Sequence, residues 1–94
     1  MNNLQDKNIK DFTTSDTIFI KKMKGGYQIE YLCKFKAFKG GIVTGEVIPN
    51  IPNGKPEILT ARLTNCYLRG KREYDNGFIV EGSCYWFNKE GKAI

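Results

Sequence analysis

The chain is predicted to fold as an all-β domain: a small five-stranded antiparallel meander, or an SH3-like or OB-like barrel, preceded by a polar N-terminal arm. Three observations predict this. Tyr27 to Lys39, YQIEYLCKFKAFK, alternates almost strictly, with Tyr27, Ile29, Tyr31, Cys33, Phe35 and Ala37 on one face and Gln28, Glu30, Leu32, Lys34, Lys36 and Phe38 on the other. That period of two belongs to a half-buried strand. The glycine pairs Gly25-Gly26 and Gly40-Gly41 separate this run from alternating neighbours on either side, as hairpin turns do. Finally, no stretch argues for helix more strongly than for strand. At thirteen residues the central run is over twice the usual length of about 5–6, so it is expected to bend and to serve two sheets or the wall of a barrel.

The other elements follow in order. Residues 1–16 are polar, with Leu4, Ile9 and Phe12 loosely spaced; they are read as an arm or short helix, disordered unless docked on a partner. Thr17 to Met23 is the first strand, with Ile18 and Ile20 facing the core and Phe19 and Lys21 facing out. Ile42 to Ile48 is the third, with Val43 and Val47 on one face; Gly45 between them suggests a bulge or a close backbone approach. Residues 49–56, PNIPNGKP, form a stiff loop. Glu57 to Leu68 is the fourth strand, with Leu59, Ala61, Leu63 and Tyr67 sharing a face. Its ILTARL stretch also suits a helix, but Thr, Asn and Tyr favour strand. Residues 69–77, RGKREYDNG, are read as a turn carrying three cations. Phe78 to Phe87 is the fifth strand, with Phe78, Val80, Cys84 and Trp86 inward and Ile79, Tyr85 and Phe87 outward. The domain thus spans residues 17–88, and 89–94 form a polar tail.

Composition narrows the function. Hydrophobic residues make up 40% and aromatics 13%, which suits a packed domain rather than a disordered chain. The net charge is +5, and residues 17–39 carry all of that excess: Lys21, Lys22, Lys24, Lys34, Lys36 and Lys39 stand against Glu30 alone. Such a cluster suits a polyanionic partner; it also suits simple protection of strand edges.

There is no His, hence no neutral-pH imidazole for acid–base work and no partner for a nucleophilic cysteine. Cys33, Cys66 and Cys84 lack the paired spacing of a zinc site, and read as reduced, buried thiols of a cytoplasmic protein. No stretch resembles a phosphate loop, a signal peptide or a membrane span. RRM, zinc-finger, helix-turn-helix and KH patterns are absent. The expectation is a binding protein: no enzyme, no cofactor, no metal and no membrane association.

Single-stranded nucleic acid is bound by cationic grooves with aromatic faces for stacking. The candidate phosphate contacts are Lys21, Lys22, Lys34, Lys36, Lys39, Arg69, Lys71 and Arg72. The candidate stacking residues are Phe19, Phe38, Tyr85 and Phe87. The alternative is a small protein-interaction module, an inhibitor or accessory subunit docking the same residues on an acidic protein surface. An outward patch of Ile79, Tyr85 and Phe87 would suit a homodimer.

Overall fold

The computed structural model describes residues 4–48 and 54–94. Most of the expected proline-rich loop, residues 49–53, lies outside the described residues, as do residues 1–3 of the arm. The described chain is all-β: β1 Thr17–Lys24, β2 Tyr27–Lys39, β3 Ile42–Val47, β4 Ile58–Arg62, β5 Cys66–Glu73 and β6 Ile79–Trp86, with 3-10 turns at Ile9–Asp11 and Leu63–Asn65. All pairings are antiparallel, in a single open sheet of order β4-β3-β2-β1-β5-β6. Six strands replace the five expected, and an open sheet with edges at β4 and β6 replaces the barrel. The extra strand arises because Glu57 to Leu68 is two strands joined by the Leu63–Asn65 turn, and because Arg69 to Glu73 continues β5 instead of turning. The true turn is Tyr74 to Phe78, where Gly77 takes a left-handed φ of 83°.

The long strand bends, as its length implies. Arg62 pairs with Ile42, which pairs with Lys39; Cys66 pairs with Ile20, which pairs with Tyr31. In a flat sheet Arg62 and Cys66 would therefore sit at levels eight residues apart, roughly 26 Å along the strands. The four-residue link between them reaches at most about 14 Å. The sheet must fold over on itself, and the register gives the place. A β-bulge at Phe35–Ala37 interrupts the β2–β3 ladder, and bulges bend and twist a strand. The N-terminal half of β2 lies against β1; the C-terminal half carries β3 and β4 over it.

Gly45 stands opposite Phe35 at this bend. A Cβ there would come within 2.8 Å of the Cys33 Cβ and 3.0 Å of the Ile20 Cδ1, so the crowding comes from side chains and not from the expected backbone approach, and the bulge itself lies in the partner strand.

The concave face holds the core. Ile18 and Ile20 of β1, Cys33 and Phe35 of β2, Val43 of β3, Ala61 of β4, Leu63, Cys66 and Leu68, and Tyr85 and Phe87 form one buried cluster. Besides Tyr67, which leaves the face of Ala61 and Leu63, two predicted orientations are overturned. Tyr85 and Phe87 are 0% and 2% exposed, in the core, and Trp86 is on the opposite face. The physical reason is a second irregularity: between Gly70↔Ser83 and Arg72↔Val80, β6 uses three residues against two in β5, with Gly82 at φ 71°. Beyond it the phase of β6 reverses. The outward Ile79, Tyr85 and Phe87 patch therefore does not form. Phe38 is the second case. The bulge at residues 35–37 turns it to the core side, where it is half-buried against the cluster.

The N-terminal segment also departs from expectation. Ile9 is 1% exposed and part of the core, and Phe12 packs edge-on against Phe35 and Phe87 with ring centroids 5.6 and 5.7 Å away. The C-terminal residues hold it there. The Ile9 N–H donates to the Gly91 carbonyl, Ala93 N–H to Lys7, and Asp6 N–H to Ala93, while Ile94 N–H donates to Trp86 of β6. Arm and tail thus form one lid over the open end of the sheet.

Candidate functional site

The convex face is organised by one row of residues in register. Leu32 of β2 pairs with Phe19 of β1, Phe19 with Tyr67 of β5, and Tyr67 with Trp86 of β6. Directly opposed side chains share a face, so four neighbouring strands place an apolar row across the outside of the sheet. Phe19 and Tyr67 stack nearly parallel, centroids 5.4 Å apart with 13° between planes; Tyr67 and Trp86 are tilted at 4.4 Å. Tyr67 is only 4% exposed because its neighbours in the row and Arg69 cover it. Phe19 and Trp86 are partly buried.

Cations sit on this row. Lys21 Nζ lies 5.6 Å from the Trp86 ring centre, and the Arg69 guanidinium lies 5.8 Å from that of Phe19 and 6.0 Å from that of Tyr67. Glu30 anchors the group. Arg69 Nε is 3.1 Å from Glu30 Oε2, and the Tyr67 hydroxyl donates to the same oxygen. Burial, then the hydrogen bond to Glu30 and its negative charge, push the Tyr67 phenol well above its usual range, so it stays a neutral donor. Glu30 likewise raises Arg69 further. The guanidinium is permanently charged, lies beside two aromatic rings, and is paired with Glu30 through Nε.

From Leu32 the face continues along β2. Lys34 pairs with Thr17 on one side and Glu46 on the other; Lys36 Nζ is 3.3 Å from Glu46; Lys39 is exposed beside the Gly40-Gly41 turn. Of the predicted site residues, the fold therefore gathers Phe19, Lys21, Arg69, Lys34, Lys36 and Lys39 on one face. Lys71 is exposed on β5 and pairs with Glu81 at 3.7 Å, away from the row.

Five predicted residues, two of them cations, are placed elsewhere. Lys22 alternates to the concave side, where its charge opposes the rise of the Cys66 thiol. Arg72 lies 3.9 Å over the buried Tyr85 ring and donates to the Cys84 carbonyl. It is committed to packing. Tyr85, Phe87 and Phe38 are core-side, as described above. Conversely, Tyr67, Trp86, Leu32 and Glu30 belong to the face and were not among the predicted residues. Glu30 pairing with Lys21 across the β1–β2 hairpin was readable, since both alternate outward. Tyr67 and Trp86 were not, because each follows an interruption of strand phase.

The three thiols are unpaired. Burial first, then Glu57, push Cys33 up to about 11; burial first, then Cys33, push Cys66 up to about 12. Neither is a nucleophile near neutral pH. Among the described residues no cluster of three or more His, Cys, Asp or Glu could hold a metal ion, and no helix is long and apolar enough to cross a membrane. Comparison with protein-family models, curated proteins and solved structures finds no match.

Proposed function

We propose that the protein binds single-stranded nucleic acid on its convex sheet face, non-enzymatically and with little base specificity. One observation carries this: the in-register row Leu32, Phe19, Tyr67 and Trp86, with Lys21 and Arg69 lying on its rings. Aromatic faces accept any base, each stack contributing roughly 1–3 kcal/mol. Phe19 and Trp86, the accessible rings, take the bases. Lys21 and Arg69 move from ring to phosphate, and Lys34, Lys36 and Lys39 continue the cationic path along β2.

The binding is electrostatic enough to be sensitive to salt. Engagement of about four of these five cations gives a slope of log K against log salt near −3, at about −0.7 per phosphate contact on a single strand. Fluorescence anisotropy with labelled single-stranded DNA, single-stranded RNA and duplex DNA, at low and near-physiological salt, tests it. Charge reversal of Lys34, Lys36 and Lys39 together leaves the fold intact and abolishes binding. Failure of all three probes to bind at low salt refutes the proposal.

A protein partner is the alternative, favoured by a different observation. Ile42, Ile48 and Ile58 are 40%, 37% and 56% exposed on the β3–β4 part of the convex face, and β4 is a sheet edge. Isoleucines offer a base nothing to stack on, but they suit a protein surface. Retention of a partner from nuclease-treated lysate, lost on Ile58→Lys, supports this alternative.

A further inference from the structure

Phe38 left the stacking face when β2 bulged, and it now lines a different feature. A hollow of about 320 Å³ opens beside the β2–β3 turn, lined by Phe38, Ile42 and Leu63, by Arg62 and Lys89, and by the Gly40-Gly41 backbone with Thr64. Its chemistry is two-sided. Three apolar side chains and two cations line it, with no acidic residue among them. Neither Arg62 nor Lys89 forms an ion pair among the described residues. The Arg62 side chain does not cap the short turn it precedes. Gly40 and Gly41 take left-handed φ values of 60° and 78° and have nothing within 4 Å of where a Cβ would stand, so the turn backbone is open to a ligand approaching closely.

Size restricts the occupant. The hollow is at the small end of the range of ligand pockets, about 300–1,000 Å³. It holds one small organic molecule, not a run of polymer. An apolar lining with two unpaired cations selects a planar apolar group joined to an anion, and Arg is the side chain best matched to phosphate. We infer that this hollow seats a single nucleotide, its base on Phe38 and Leu63 and its phosphate between Arg62 and Lys89. The same chemistry comes either from a free mononucleotide or from the phosphorylated end of a strand. The site is separate from the aromatic row on the convex face and does not depend on it.

The experiment is a titration of the ¹⁵N-labelled protein with adenosine monophosphate, followed by amide chemical shifts, with adenosine and inorganic phosphate as separate controls. The expected result is saturable shifts at Gly40, Gly41, Leu63 and Thr64, with either control at least about tenfold weaker because each lacks half of the contacts. Arg62→Gln with Lys89→Gln, both side chains being at the surface, weakens the nucleotide by at least about tenfold while the remaining spectrum keeps its dispersion. Oligonucleotides with and without a 5′-phosphate then separate the sources: a preference for the phosphorylated end at these amides assigns the strand terminus, and equal shifts assign the free nucleotide. Absence of shifts at these amides with millimolar nucleotide, or equal affinity in the double variant, overturns the inference. Shifts confined to Lys21, Arg69 and Trp86 overturn it too while leaving the convex-face proposal standing. Shifts at the turn without any at the row support this site and leave the convex-face proposal to the oligonucleotide anisotropy test.

Discussion

Replacing Gly45 with alanine tests the bend on which both surfaces depend. The glycine is not required by its backbone angles but by space. The added methyl would stand 2.8 Å from the Cys33 Cβ and 3.0 Å from the Ile20 Cδ1. The first of these atoms is tied directly to the β2 backbone next to the bulge, so it cannot rotate away; β2 and β3 must separate. Overpacking of this kind costs typically about 1–3 kcal/mol. For a domain of this size, 1 kcal/mol lowers Tm by about 4–8 °C, so Gly45→Ala lowers it by roughly 5–20 °C in a calorimetric or circular-dichroism melt. The second contact gives an internal check. Ile20→Val removes the Cδ1 methyl and alone costs about 0.5–1.5 kcal/mol. Combined with Gly45→Ala it makes room for the new methyl, so the double variant is more stable than the sum of the singles by about 0.5 kcal/mol or more. A Gly45→Ala protein within about 0.5 kcal/mol of the parent, or strict additivity in the cycle, refutes the close packing of β3 onto β2 at the bulge.

Other outcomes follow from the same structure. Ile9→Ala removes a core side chain from the N-terminal segment and lowers stability by about 2–5 kcal/mol in denaturant unfolding; an unchanged midpoint would mean that the segment is not docked. Gly91→Ala combines a left-handed φ of 87° with a Cβ 2.9 Å from the Ile9 Cγ2, and is expected to release the segment, seen as new protease cleavage before Thr17. Cys33 and Cys66 resist alkylation in the folded protein at pH 8 and react once it is unfolded; rapid labelling of both in the native state would contradict their burial. Because folding raises these two thiols from 9.0 to about 11 and about 12, their contribution to stability is present in full below pH 9. It is lost as pH rises from there towards 12, since the unfolded chain gives up its protons first. Stability that stays level from pH 9 to 11 would count against this.

Much of the fold was legible wherever strand phase runs unbroken. Ile18 and Ile20 inward, Phe19 and Lys21 outward, Cys33 and Phe35 inward, and Val43 opposed to Ile42 all follow from alternation, and the glycine pairs mark both hairpins. What sequence did not reveal lies beyond an interruption. A single bulge residue shifts every later side chain to the other face. That is how Phe38 moved to the core side, and how Tyr85 and Phe87 exchanged places with Trp86. The Leu63–Asn65 turn broke one long apolar run into two strands, which placed Tyr67 on the convex face and made Arg69 to Glu73 a strand. Docking of the polar arm was hidden for another reason. Ile9 and Phe12 are too few to show a period, and their anchor is the backbone of the C-terminal tail, which composition does not report.

The most direct measurement on the proposed function is the fluorescence of Trp86. It is the only tryptophan in the chain, and it ends the aromatic row with Lys21 upon it. Titration with an unlabelled single-stranded oligonucleotide at low salt is predicted to quench it saturably. The quenching should be reversed by added salt and abolished in Lys21→Glu with Arg69→Gln. An oligonucleotide that binds by anisotropy yet leaves Trp86 unchanged, or that does not bind at all, would contradict stacking on this face.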